Sequence, residues 1–186
     1  MSRSRTAVVL LRHGPTAWSE EGRFAGTTDL PLTPAGREAT PGVRSRLPET
    51  ARVVTSTLVR ARETAALLGF PAAEADPRLR ERDYGDFEGL TTAEIRAASP
   101  EWDVWADDVP GGEPLADLVA RVDEVVAEAR ESDEVLLLVS HAHWIRMFAA
   151  RWLGLPPDRA ALFRLDTLGI ARLGWEREHP VMLGWG

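Results

Sequence analysis

Ala7-Val8-Val9-Leu10-Leu11-Arg12-His13-Gly14-Pro15-Thr16 sets an unbroken apolar run directly against an arginine, a histidine and a glycine. A short run that is apolar at every position, rather than at every second one, is the pattern of a parallel strand covered on both faces by helices. Two further stretches repeat it. Glu134–Val139 runs into Ser140-His141, and Arg52–Thr55 runs into Ser56-Thr57-Leu58-Val59-Arg60. In open α/β sheets ligands bind beyond the carboxyl ends of the strands, so the three polar tails are expected to meet in space. The expected fold is α/β: a three-layer α/β/α sandwich around a mostly parallel sheet.

The segments between the strands read as helices. Thr33 is an N-cap and Pro34 the first residue of a helix expected to reach about Leu47, with Pro41 and Gly42 interrupting it. Leu58–Leu68 is a second helix, closed by Gly69. Pro114–Arg130 places Leu115, Leu118, Val122, Val125 and Val126 at helical spacing, and Trp144–Leu153 follows as another helix. Leu162–Gly174 reads as two closing strands around Asp166-Thr167, and Asp107–Glu113 as a loop. No repeat or linker divides the 186 residues, so one domain spanning 1–186 is expected, with 91–112 as lid or substrate loop.

Composition narrows the function. There is no cysteine, which removes disulfides, thiolate nucleophiles and thiolate metal sites. The apolar run after Met1–Arg5 is too short for a signal peptide and is cut by Arg12-His13. No stretch is long enough to span a bilayer, so a soluble, cytoplasmic protein without membrane contacts is expected. The net charge is −7 and no basic block tracks a nucleic-acid backbone, so no nucleic acid is expected as partner. Lysine is absent, so every fixed cation is an arginine. An acidic chain that binds an anionic substrate must gather such cations in one cleft.

Four motifs stand in order along the chain: Arg12-His13-Gly14, Ser56-x-Leu58-x-Arg60-Ala61-x-Glu63-Thr64, Glu81-x-x-x-Gly85-x-x-Glu88-Gly89, and Ser140-His141. Together they resemble the histidine phosphatase superfamily, also called the phosphoglycerate mutase-like family, from Val8 to about Leu173. Thr16-Ala17-Trp18-Ser19, Gly26–Thr33 and His141-Ala142-His143 with Arg146 resemble its small bacterial phosphatases and sedoheptulose-bisphosphatase-like members. The resemblance implies a phosphoglycerate mutase-like fold and a metal-independent phosphatase without cofactor. It implies that His13 is the nucleophile, becoming phosphohistidine, and that Arg12, Arg60 and His141 bind the phosphoryl oxygens. Glu81 would protonate the leaving alkoxide and then activate water. Ser19, Gly26, Ala142 and His143 complete the expected substrate contacts.

These roles make chemical demands. His13 must be neutral at its attacking nitrogen, whereas His141 helps most as an imidazolium beside the phosphoryl group. Glu81 must hold a proton, against which Arg80 and Arg82 argue unless they point away; Asp83 is its understudy. Glu88 reads as a residue that fixes its loop. Ser19 stands where many relatives have Asn, and Ala142 where Gly is usual. His143 either contacts substrate or packs, and Trp102 and Trp105 either wall the substrate or are buried in a helix.

Three other readings stay open. Mutase-type phosphoryl transfer needs a basic insertion to grip a second anion, for which the chain offers only Thr91–Gly112. A metal site would use His13, His141 and His143 with Asp29. A catalytically impaired phosphate-ligand-binding member would follow from Ala142. The expected partner is a small-molecule phosphomonoester, such as a sugar phosphate, with a two-fold dimer as the candidate assembly.

Overall fold

A computed structural model describes residues 5–49 and 51–186. Met1–Ser4, the start of the signal-like segment, lie outside the described residues.

Six strands form one sheet: β1 (Arg5–Arg12), β2 (Arg52–Ser56), β3 (Glu74–Asp76), β4 (Leu136–Ser140), β5 (Ile170–Glu176) and β6 (His179–Trp185), in the order β3-β2-β4-β1-β5-β6. β3, β2, β4 and β1 are mutually parallel, while β5 and β6 are added antiparallel. Six α-helices accompany them: α1 (Ala17–Glu20), α2 (Pro34–Ala39), α3 (Val59–Leu67), α4 (Thr92–Ala98), α5 (Leu115–Glu131) and α6 (Ala142–Trp152). Among the described residues, no helix is long and apolar enough to cross a membrane.

The layers follow from the unbroken apolar strands. Successive side chains point to opposite faces, so a strand apolar at every position needs a cover on each side. Val8, Leu10, Leu136 and Leu138 pack toward α5 and α6, against Leu118, Val122, Val125, Trp144 and Phe148. Val9, Leu11, Leu137 and Val139 face the other way, against Leu47 and α3's Ala61 and Ala65. The expected α/β/α sandwich is present.

Two local expectations are corrected. The helix from Pro34 is α-helical only to Ala39; residues Thr40–Arg46 form a 3-10 helix, because Pro41 has no N–H with which to continue an α-helical ladder. The closing hairpin is not Leu162–Gly174. Leu162 ends a 3-10 helix, Asp166-Thr167 lies in the connection before β5, and the hairpin turns at Arg177-Glu178, where Arg177 has φ +58°. Strand β6 went unread because Pro180 and Gly184 interrupt its pattern.

Candidate active site

The carboxyl ends of β1, β2 and β4 do meet. Arg12 pairs with Ser140 in the β1–β4 register, and the His13 N–H donates to the Ser140 carbonyl at 2.9 Å. His141 caps α6, and its Nε2 lies 2.8 Å from Oγ of Ser56, the last residue of β2. The His13 and His141 rings are 5.2 Å apart between centroids.

Hydrogen bonds set the tautomers. His13 Nδ1 is 2.7 Å from the Gly14 carbonyl, which can only accept, so Nδ1 carries the hydrogen and Nε2 holds the lone pair. Gly14 permits this tight turn: a Cβ there would lie 2.9 Å from Thr40 Oγ1. Burial, then the Arg60 and Arg12 charges, hold the His13 imidazole well below its ordinary pKa, so it is neutral as a nucleophile must be. At His141, Arg60 Nε donates to Nδ1 at 3.1 Å, so Nε2–H donates to Ser56. Burial and the adjacent Arg60 push this imidazole well below its ordinary value too. The geometry lends no support to the expected split with His141 as imidazolium: a guanidinium occupies the nitrogen that a second proton would need, and both rings are held toward the neutral form.

The two arginines differ. Arg12 Nη1 donates to the Leu165 carbonyl at 2.7 Å, while its Nε is buried without a hydrogen-bond partner. Arg60, only 1% exposed, donates through Nη1 to Thr28 O at 3.0 Å and through Nη2 to Ala25 O and Gly26 O at 2.9 Å. Glu88 holds that loop by accepting from Thr27 N at 2.6 Å and Thr28 N at 2.8 Å, and from both threonine hydroxyls. Glu88 thus fixes its loop.

Glu81 is buried at the amino end of α6. Its Oε1 accepts from Trp144 N at 3.0 Å and Arg82 N at 3.1 Å, and Oε2 from His143 N at 3.0 Å. Desolvation outweighs these bonds and raises its pKa. The flanking arginines do point away: Arg82 donates to the carbonyls of Val104, Asp107 and Glu113, and Arg80 is exposed. Asp83 spends Oδ1 on Gly85 N at 2.8 Å, a turn role.

These groups open on a cleft of about 780 Å³ lined by Arg12, His13, Glu81, His143, Trp105 and Arg146, among others. His141 and Arg60 stand behind His13 rather than on the cleft surface. The chain matches the histidine phosphatase superfamily (branch 1) over residues 8–186.

The chain belongs to the histidine phosphatase superfamily.

It is 39% identical to an acid phosphatase of Mycobacterium tuberculosis, covering 91% of this chain and 86% of that one. It is 32% identical to sedoheptulose 1,7-bisphosphatase of Saccharomyces cerevisiae, covering 79% and 67%. A solved structure of an open reading frame product from Mycobacterium tuberculosis superposes with a TM-score of 0.92, at 38% identity and 96% coverage of both chains. Family and relatives make this histidine phosphatase a phosphoric monoester hydrolase by class.

Within this histidine phosphatase the remaining expected contacts separate. Ser19 lines the cleft, but its hydroxyl donates to Thr16 O at 2.9 Å and accepts from Thr16 N at 2.8 Å, closing a capping box on α1. Gly26 is outside the main cleft; its carbonyl serves Arg60, and a Cβ would collide with Arg82 O and Glu88 Oε1. Its position is one of close packing. Ala142 and His143 both line the cleft. His143 also packs: it is stacked on Phe24 (centroids 5.8 Å, interplanar angle 11°), edge-on to Trp105 (4.7 Å) and hydrogen-bonded to the Tyr84 hydroxyl.

Trp102 and Trp105 lie outside any helix, are buried and wall the cleft. Asp29 spends Oδ1 on Val59 N, the first N–H of α3, at 2.7 Å. Among the described residues, no group of three or more His, Asp or Glu side chains is placed to hold a metal ion. Tyr84 and the 160–166 wall were missed. Tyr84 carries no signal of its own within the Glu81 motif, and the wall lies in an apolar stretch that reads as strand.

Proposed function

We propose that the cleft is a phosphatase site in which His13 takes the phosphoryl group of a small phosphomonoester and passes it to water. The observation that supports it most directly is the pairing of a neutral His13, its Nε2 lone pair unprotonated, with the adjacent Arg12, whose Nε is buried without a partner. Arg12 also lines the cleft, where its guanidinium would meet the phosphoryl oxygens. Transfer of a phosphoryl group asks chiefly for an in-line nucleophile and fixed cations around the non-bridging oxygens.

In the first step a bond forms between His13 Nε2 and phosphorus while the ester P–O bond breaks, and the Glu81 proton goes to the leaving oxygen. In the second, water attacks phosphorus, its proton returns to Glu81, and the N–P bond breaks. Arg12 binds the phosphoryl oxygens. Arg60 and His141, behind His13, support the same group, and Arg60 orients His141 through Nδ1. His143 and Ala142 meet the leaving group. The region 91–112 supplies the substrate wall through Arg96, Trp102 and Trp105.

The test is phosphate release from sugar phosphates, phosphoglycerates, nucleotides and an aryl phosphate, with chelator present, by the native chain and His13→Ala. Release that survives chelator and is lost in the variant, with an acid-labile phosphoprotein trapped from the native chain, is the expected result. Release that needs added metal, or that persists in His13→Ala, sinks the reading.

A further inference from the structure

We propose that Leu168 is a positioning residue for His13: its backbone N–H, aimed by a left-handed turn, ties down both peptide units that flank the nucleophile and so fixes the direction in which the imidazole leaves the chain. This rests on the reading of His13 as the nucleophile.

The connection into β5 closes a tight turn, in which the Gly169 N–H donates to the Asp166 carbonyl at 2.9 Å. Leu168, the third residue of that turn, has φ +60°. A Cβ crowds the neighbouring carbonyl in this conformation, and glycine or asparagine ordinarily takes the position. Among the described residues the other non-glycine residue with positive φ is Arg177, in the exposed hairpin turn between β5 and β6. Leu168 is half-buried instead, and its N–H is shared between two acceptors, the Arg12 carbonyl at 3.2 Å and the His13 carbonyl at 3.3 Å.

Those carbonyls belong to consecutive peptide units, and the far edge of each unit is held as well. The unit between Arg12 and His13 donates through the His13 N–H to the Ser140 carbonyl at 2.9 Å, and the unit between His13 and Gly14 donates through the Gly14 N–H to Thr64 Oγ1 at 3.0 Å. A peptide unit is planar, so pinning both edges fixes its orientation. Two fixed units on either side of the His13 Cα confine φ and ψ of that residue, and the Cα–Cβ bond then points one way. The second unit also sets where Gly14 begins, and the Gly14 carbonyl, 2.7 Å from Nδ1, is the acceptor that keeps the Nε2 lone pair free. Leu168 thus acts on the reacting nitrogen without touching it.

The flanks of the turn are anchored to the same strand end. Leu165 O accepts from Arg12 Nη1 at 2.7 Å, and Gly169 O accepts from the Arg12 N–H at 3.1 Å. A Cβ at Gly169 would lie 2.7 Å from both the Asp166 carbonyl oxygen and Leu165 Cδ1. With these flanks fixed, φ at Leu168 decides where its N–H points, since rotation about N–Cα carries the preceding peptide unit with it. Strained backbone persists where its surroundings over-determine it, and beside a reacting group it supplies pre-organisation.

The experiment separates backbone from side chain at position 168. Leu168→Val keeps an apolar side chain but, being β-branched, refuses the left-handed conformation; Leu168→Asn and Leu168→Gly discard that side chain and accept the conformation. kcat and KM are measured for each with the compound of the phosphate-release panel that the native chain hydrolyses fastest. Leu168→Val should lose kcat by roughly ten- to a hundredfold with KM changed less than about twofold, the signature of a displaced nucleophile, while the other two variants retain most of it. The reverse order, equal losses in all three, or no loss in any, marks Leu168 as an ordinary packing residue and overturns the proposal. Should the valine chain not fold, the donor itself is deleted by incorporating the α-hydroxy acid of leucine at position 168, which replaces the N–H by an ester oxygen and keeps the side chain; an unchanged kcat there overturns the proposal as well.

The imidazole reports independently of turnover. In chains carrying nitrogen-15-labelled histidine, with the His13 signals assigned by their loss in His13→Ala, the native and Leu168→Asn chains should show a single Nδ1-protonated tautomer, and the Leu168→Val or ester chain should show shifted or averaged signals. His13 signals alike in all of them overturn the clamp. A native chain that releases no phosphate from any compound sinks the phosphatase reading alone, and the imidazole signals then decide the clamp.

Discussion

His13, Glu81 and His141 show how one pocket assigns different tasks to groups whose intrinsic chemistry is similar. Desolvation disfavours charge on all three, yet with opposite consequences: it favours the unprotonated imidazoles and the protonated carboxyl. The two states that the reaction needs, a free Nε2 and a proton on Glu81, thus arise from one cause. The pH profile of kcat/KM should show it. Because the His13 pKa is depressed, no acid limb is expected at the ordinary imidazole value of 6.5; because that of Glu81 is raised, activity should decline as pH rises through the raised carboxyl value. Glu81→Gln should remove that decline and lower kcat for an alkyl phosphate by roughly 10²–10⁴-fold, with a smaller loss for an aryl phosphate whose oxygen leaves without help. An acid limb at 6.5 in the native chain would show that the site does not hold His13 neutral.

At the scale of elements, the site depends on a loop whose Thr27 and Thr28 lie outside the main cleft. Glu88 gathers the backbone N–H groups and hydroxyls of Thr27 and Thr28, and the carbonyls of Ala25, Gly26 and Thr28 then hold Arg60 against His141. Gly26 lets the loop pass close to Arg82 and Glu88. Removing the carboxylate strands several donors at once. Glu88→Ala should destabilise the fold by about 1–3 kcal/mol in urea unfolding and lower kcat/KM together, whereas Glu88→Gln, which keeps acceptor oxygen but not charge, should recover part of both. Stability lost without any change in kcat/KM would separate this loop from the chemistry.

Across the whole molecule, folding buries three neutral imidazoles, His13, His141 and His143, each with its pKa well below the ordinary value of 6.5. Below that value the unfolded chain binds protons that the folded chain refuses, so stability rises with pH there and is lost as pH falls toward the depressed folded values. Glu81 acts in the other sense, since its raised pKa contributes stability below its ordinary 4.5 that is lost as pH rises through the folded value. Three groups oppose one. Unfolding free energy should therefore fall between pH 6.5 and 5, and His143→Phe, within an already aromatic wall, should make that slope shallower. A stability flat across this range would mean that the imidazoles are protonated in the folded chain.

The sequence by itself determined the sandwich and the meeting of Arg12, His13, Arg60 and His141. The reason is physical: a strand apolar at every position needs two covers, and the polar residues that end such strands have nowhere to go but the common edge of the sheet. Glu81 and its neighbours were legible from the family motif. Periodicity failed at β6, where Pro180 and Gly184 interrupt the pattern, and in the first part of Leu162–Gly174, where Arg164, Leu165 and Asp166 line the cleft and only Ile170 onward is strand. Only tertiary structure decided which donors are already spent. Ser19, Gly26 and Asp29 are the residue types that bind substrates or metals, but each is committed to a cap, a close approach or a helix start. Arg82 turns away from Glu81, and Arg60 takes the His141 nitrogen that a second proton would need. A side chain's chemical type is local to the sequence, whereas its solvation and its counter-charge come from residues far along the chain that folding brings beside it.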